Sequence, residues 1–167
     1  MNSENLVLAL RKEADRIEED SIHSAKGHFN AAGIWKRRHY HLGIPATILG
    51  ALAGAAMLKD WPVVASLLSL AATILTALVT FLKPTERASE HKTAGDQYLA
   101  LKNDTRVFRE VELLLQNGES HADKLKALSQ RRNELNQGSP EILRKAFEQA
   151  RDGIAGGEAD YRADKEI

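Results

Sequence analysis

LGIPATILGALAGAAMLKDWPVVASLLSLAATILTALVTFL, residues 42–82, decides the fold. The only charged side chains in these 41 residues are Lys59 and Asp60, side by side at the joint of two apolar runs. A charge at the centre of a bilayer costs about 2.5–3.5 kcal/mol on insertion scales, so confining both charges to the joint suits a transmembrane helical hairpin. At 1.5 Å per residue the runs Leu42–Leu58 and Trp61–Leu82 extend roughly 26 and 33 Å, against a hydrocarbon core about 30 Å thick. Neither run keeps the polar face of a soluble surface helix. The competing reading is a soluble helical oligomer with its hairpins buried inside.

Outward from this stretch the composition changes. The chain has 167 residues, 28% of them charged, and a net charge of zero. That average combines a hairpin almost free of charge with flanks dense in Lys, Arg, Asp and Glu. A neutral total gives no electrostatic footprint for nucleic acid. The absence of cysteine excludes disulfides, thiol catalysis and cysteine-held metals. No Gly-rich phosphate loop, HExxH, GxSxG or carboxylate cluster is present, so no enzyme activity, cofactor or metal is expected. The start, MNSENLVLALRKEADRIEED, is acidic and amphipathic, unlike a signal peptide.

Before the hairpin, Leu6, Leu10, Ala14, Ile17, Ser21, Ala25, His28, Ala32 and Trp35 recur at spacings of three and four, predicting a helix from Ser3 to Tyr40 with Ser3 as cap. Gly27 and Gly33 mark a possible bend. Trp35, Lys36, Arg37 and Arg38 then bring cations and an aromatic ring to the edge of the first run, with Lys83 and Arg87 at the end of the second. These six are the candidate lipid-headgroup residues. Basic residues on both flanks and a neutral loop place both termini in the cytoplasm. His39 and His41 point in different directions on a helix and suggest no metal site.

Two stripes mark the spans. Gly43, Thr47, Gly50 and Gly54 form a small-residue helix-packing face containing GxxxG. Ser66, Ser69, Thr73, Thr76 and Thr80 form one hydroxyl row. Two readings of that row stay open: it lines a water path shared by several subunits, or its hydroxyls bond back to their own helix and pack on the glycine face.

After Lys83-Pro84, a second cytoplasmic helix is predicted from Thr85 to Gln116. Ala88, His91, Ala94, Tyr98, Leu101, Thr105, Phe108, Val111 and Leu115 form its stripe. It is expected to run antiparallel to the first helix, with His91, Tyr98, Leu101 and Phe108 as packing residues of a stalk or bundle. Asn117-Gly118 is expected to break it. Ser120 and Asp123 resemble a capping box opening a helix to about Asn136, and Ser139-Pro140-Glu141 signals a further helix to about Gly153. A mobile charged tail is expected from Gly156-Gly157. The expected organisation is all-α: residues 1–41 an N-terminal cytoplasmic helix, 42–82 the hairpin, 83–116 the pairing helix, and 117–167 short helices and tail.

The order of these features, with the basic-aromatic stretch, the two close spans, Lys83-Pro84-Thr85-Glu86-Arg87-Ala88, then His91, Ala94, Tyr98, Leu101 and Phe108, resembles the SLATT family between Ile22 and Leu115. These are small bacterial two-span proteins associated with nucleotide-based immune systems. The resemblance implies a homo-oligomeric pore-forming effector in the bacterial inner membrane, in contact with lipid, that depolarises an infected cell. It also implies a partner, a cytoplasmic nucleotide-signalling or sensor protein. This sequence carries no recognisable nucleotide-binding domain, so binding the signal directly and answering a partner both stay open. A non-conducting two-span anchor that recruits a cytoplasmic partner is the other class of function.

Overall fold

The computed structural model describes residues 3–115 and 118–161. Among them the chain is all-helical, with no strand. The elements are α1 (Ser3–Leu58), α2 (Pro62–Leu82), α3 (Pro84–Glu110), a 3₁₀ turn (Glu112–Leu114), α4 (Gly118–Gly138) and α5 (Arg144–Ala155). The expected break at Asn117 and residues 162–167 of the tail lie outside the described residues.

Two compact units divide the chain, residues 1–31 with 90–167 and residues 32–89. The first has a conventional core. Leu10, Ala14, Ile17 and Ala25 of α1 meet Tyr98, Leu101 and Phe108 of α3, Leu113 of the 3₁₀ turn, and Leu128 and Leu135 of α4. Burial follows the spacing of three and four: Leu10, Ala14, Ile17, Ser21, Ala25 and His28 are the positions of α1 turned inward. The pairs Asp15–Arg109 and His28–His91 show that α1 and α3 run antiparallel in this unit.

The second unit is the hairpin. Its outward surface is apolar: Leu58 is 88% exposed, Phe81 85%, Val63 72% and Leu67 64%. Only 11% and 6% of the most apolar windows of its two helices are buried, whereas a core helix of a soluble protein is mostly buried. Both helices are long and apolar enough to cross a membrane. The buried positions at the closed end are Ala53, Ala56 and Ala65, small enough to let the backbones approach.

Local structure departs from expectation at five places. α1 runs unbroken through Gly27, Gly33 and Pro45. A close packing need explains Gly27, where an added Cβ would sit 3.1 Å from Ile142 Cδ1. α3 ends at Glu110 instead of Gln116. The tighter 3₁₀ turn then rotates Leu113 into the core and leaves Val111 and Leu115 exposed. α4 starts at Gly118, so Ser120 lies inside the helix and does not cap it. α5 starts at Arg144, not at Pro140. There the Ser139 N–H donates to Leu135 O and closes α4, while Leu143 O accepts the first bonds of α5. The extended link between them sets Ile142 against Gly27. Finally, the tail is tied down as far as Tyr161. Gly157, at φ 85°, turns the chain, Glu158 pairs with Lys26, and Tyr161 accepts a hydrogen bond from Lys102 Nζ at 2.7 Å.

Candidate functional site

The hairpin turn is short because Asp60 adopts the left-handed region (φ 56°) and Pro62 supplies a preset first helical residue. Lys59, Asp60 and Trp61 occupy the turn, and Trp61 is 60% exposed. At the other end α2 passes into α3 through one residue. Lys83 adopts φ 45° and ψ 53°, its N–H caps Val79 O at 3.0 Å, and Pro84 opens α3.

Of the hydroxyl row, four members bond back to their own helix: Ser66 to Pro62 O, Thr73 to Ser69 O, Thr76 to Ala72 O and Thr80 to Thr76 O, at 2.8–3.0 Å. Thr47 does the same to Gly43 O at 2.9 Å. Each hydroxyl has one proton to give, and it is given locally, so what remains toward the surroundings is acceptor lone pairs and methyl groups. Thr73, Thr76 and Thr80 line a groove between the two helices together with Ala46 and Gly50 of α1, Ala72, Ala77 and Phe81 of α2, and Lys83.

The glycine face is open inside a single chain. A Cβ built on Gly43, Gly50 or Gly54 meets nothing within 4 Å. Gly50 shares the groove with Thr73 and Thr76, and the buried positions at the closed end of the hairpin are alanines.

Of the basic belt, Lys36, Arg37, Arg38, Lys83 and Arg87 are exposed. Trp35 is different. Its ring is 5% exposed and lies between two guanidinium groups, Arg38 at 4.5 Å and Arg87 at 4.8 Å from the ring centroid. The tryptophan expected to face headgroups therefore works as an internal clamp between α1 and the first turn of α3. Cation–π attraction of this kind is worth about 0.5–2 kcal/mol according to how far the cation is desolvated. Lys83 pairs with Glu86 across an exposed 2.9 Å contact.

All four expected packing residues of α3, His91, Tyr98, Leu101 and Phe108, are buried. His91 has a partner that helical spacing alone does not reveal. His28 Nδ1 and His91 Nδ1 are 3.0 Å apart, and both rings are nearly sealed from solvent. One ring donates and the other accepts, so the pair shares one proton and the two rings hold different tautomers. Tyr98 stacks on His28 with centroids 5.5 Å apart and donates to Asn136 Oδ1 at 2.7 Å. Burial, with a smaller contribution from His91, lowers the His28 pKa to about 4, so His28 is neutral at pH 7. No group of three or more metal-ligating side chains is found among the described residues.

Sequence periodicity missed a second cluster. Lys102 is 2% exposed although it is charged, and its ammonium lies 4.1 Å from the Tyr161 ring centroid, with Arg106 at 5.0 Å. Nearby, burial raises the Glu18 pKa against the opposing pull of Arg109, whose Nη1 is 3.0 Å from Glu18 Oε2. The signal available in the sequence was a Lys on the border of an apolar stripe, and the covering ring lies 59 residues away.

A comparison with known protein families, characterised proteins and solved structures finds no match to this chain.

Proposed function

We propose that this chain is a two-span membrane effector. Several hairpins assemble in the bacterial inner membrane and form or gate a pore, with both flanking arms in the cytoplasm, as an abortive response in anti-phage defence. The observation that carries the reading is the outward apolar surface of residues 42–82, joined to a unit that has an ordinary buried core. Water solvates such a surface poorly and a bilayer solvates it well. The pattern resemblance to the SLATT family supports the effector role. The hydroxyl row supports conduction in one respect: back-bonded Ser and Thr still offer lone pairs to water or cations along a shared axis.

One observation favours the anchor reading instead. With their protons committed to the helix, the hydroxyls present a face that lipid tolerates. Induced expression in cells loaded with a membrane-potential dye decides between the two. Rapid depolarisation is expected of the effector, and an intact potential would establish the anchor. Fractionation is the prior check, since a soluble oligomer would stay in solution without detergent.

A further inference from the structure

We propose that the segment from Gly156 to Tyr161 is a displaceable strap over an oxyanion site. Lys102 and Arg106 form the site, Tyr161 holds it closed, and a small phosphate-bearing anion competes with the phenol for it. The site belongs to the unit with the conventional core and does not depend on conduction by the hairpin.

The first observation is a buried charge without a counter-ion. Lys102 is buried, and neither it nor Arg106 makes an ion pair among the described residues. Glu18 is the carboxylate that feels both cations, but it is engaged on Arg109 at 3.0 Å, together with Asp15 at 2.7 Å and Glu110 at 2.8 Å. An ammonium has three protons to give, and Tyr161 Oη accepts one of them at 2.7 Å. A neutral acceptor offsets little of what desolvating an ammonium costs. An oxyanion offsets more, through charge-assisted hydrogen bonds.

The second observation is that two cations meet one ring. Lys102 Nζ lies 4.1 Å from the Tyr161 ring centroid and the Arg106 guanidinium carbon 5.0 Å from it. The two residues are four apart on α3, so their side chains leave the same face of the helix. Like charges at this spacing repel. A phosphate group placed between them removes the repulsion, with one oxygen for the ammonium and two for the guanidinium fork. The phenol occupies the place where such a group meets both.

The third is how the cover is attached. The Glu158 N–H donates to Gly153 O and the Asp160 N–H to Gly157 O, so the backbone of the segment bonds to itself and to the end of α5. Gly157, in the left-handed region, turns the chain. Side chains fasten the segment to the long helices, Glu158 to Lys26 of α1 and Tyr161 to Lys102 of α3. The Glu158 carboxylate is exposed, and ion pairs of that kind are weak. Tyr161 itself is exposed. Opening the strap therefore gives up one surface ion pair and one phenol contact and leaves the core of Ile17, Leu101 and Phe108 in place.

The test is titration calorimetry of the full chain in detergent with inorganic pyrophosphate. The wild type must open the strap before the anion binds. A strap closed about nine-tenths of the time weakens apparent binding roughly tenfold. Tyr161→Ala is therefore expected to bind pyrophosphate about tenfold more tightly than the wild type, and adding Lys102→Met should abolish that binding. Acetylation by acetic anhydride, read by mass spectrometry, checks the cover without altering Lys102. Lys102 should react faster in Tyr161→Ala than in the wild type, and saturating pyrophosphate should slow it again. Tyr161→Ala that binds no pyrophosphate, or binds it no more tightly than the wild type, would overturn the proposal. So would binding that survives Lys102→Met, or acetylation of Lys102 that pyrophosphate leaves unchanged. If Lys102→Met misfolds, the acetylation arm decides alone. A chain that stays monodisperse without detergent removes the membrane reading and leaves every outcome of this test as it stands.

Discussion

At the residue scale, the side chains that matter most are those whose polar groups are settled inside the protein. The His28–His91 pair is the clearest. His28 has a pKa near 4 when folded and near 6.5 when unfolded. The unfolded chain therefore binds the extra proton between those values, and stability falls as pH drops from about 6.5 toward 4 and is unaffected above that window. A shift of this size corresponds to at most roughly 3 kcal/mol. Denaturant unfolding of the detergent-solubilised protein at pH 7.5 and pH 5 should show the loss, and His28→Leu should be less stable but nearly flat across the same interval. An equal pH slope in both proteins would remove His28 as the cause. Gly95 is set by packing: an added Cβ would lie 2.8 Å from Phe29 Cε1 and 2.9 Å from its Cδ1. Gly95→Ala should cost about 1–3 kcal/mol because the ring is held between α1 and α3, although alanine is the better helix former. Thermal unfolding measures it, and a rise in midpoint would show that Phe29 moves freely.

At the element scale, α2 satisfies four of its five hydroxyl side chains from its own backbone. Replacing Thr73 with Leu removes one local hydroxyl-to-carbonyl bond and no contact with α1 that the fold needs, so insertion and helicity should be unchanged. If the row lines a water path in the assembly, the same change should abolish dye-reported leakage. Unaltered conductance would take the row out of the pathway. The spacing of apolar positions anticipated the buried stripe of α1 from Leu10 to His28 and that of α3 from His91 to Phe108, but Ala31 is buried in place of the expected Ala32, and α1 continues past Tyr40 to Leu58. Helix ends were less legible. Ser120-x-x-Asp123 and Ser139-Pro140-Glu141 both have the composition of starts, yet α4 begins before the first signal and α5 after the second. For α5, the bond from Ser139 N to Leu135 O continues α4 as far as Gly138, and the seat of Ile142 on Gly27 outweighs a local capping preference of about 1 kcal/mol.

At the scale of the whole molecule, the contrast between the two units carries the functional argument. One buries Ile17, Leu101 and Phe108 to within 2% of completely. The other leaves Leu58 and Phe81 more than 80% exposed. The same chain cannot be optimised for water on both, which is why fractionation and membrane potential are the deciding measurements. The sequence by itself determined the two apolar runs, the charged turn between them and the inward stripes of α1 and α3, because hydropathy and helical period are sums over neighbours along the chain. Only the tertiary structure decided that His28 meets His91, that Trp35 is clamped by Arg38 and Arg87, that Tyr161 covers Lys102, and that the hairpin opens into a groove above Ala53. Each of those depends on the register between helices, which turn geometry and core packing set over tens of residues and no local pattern encodes.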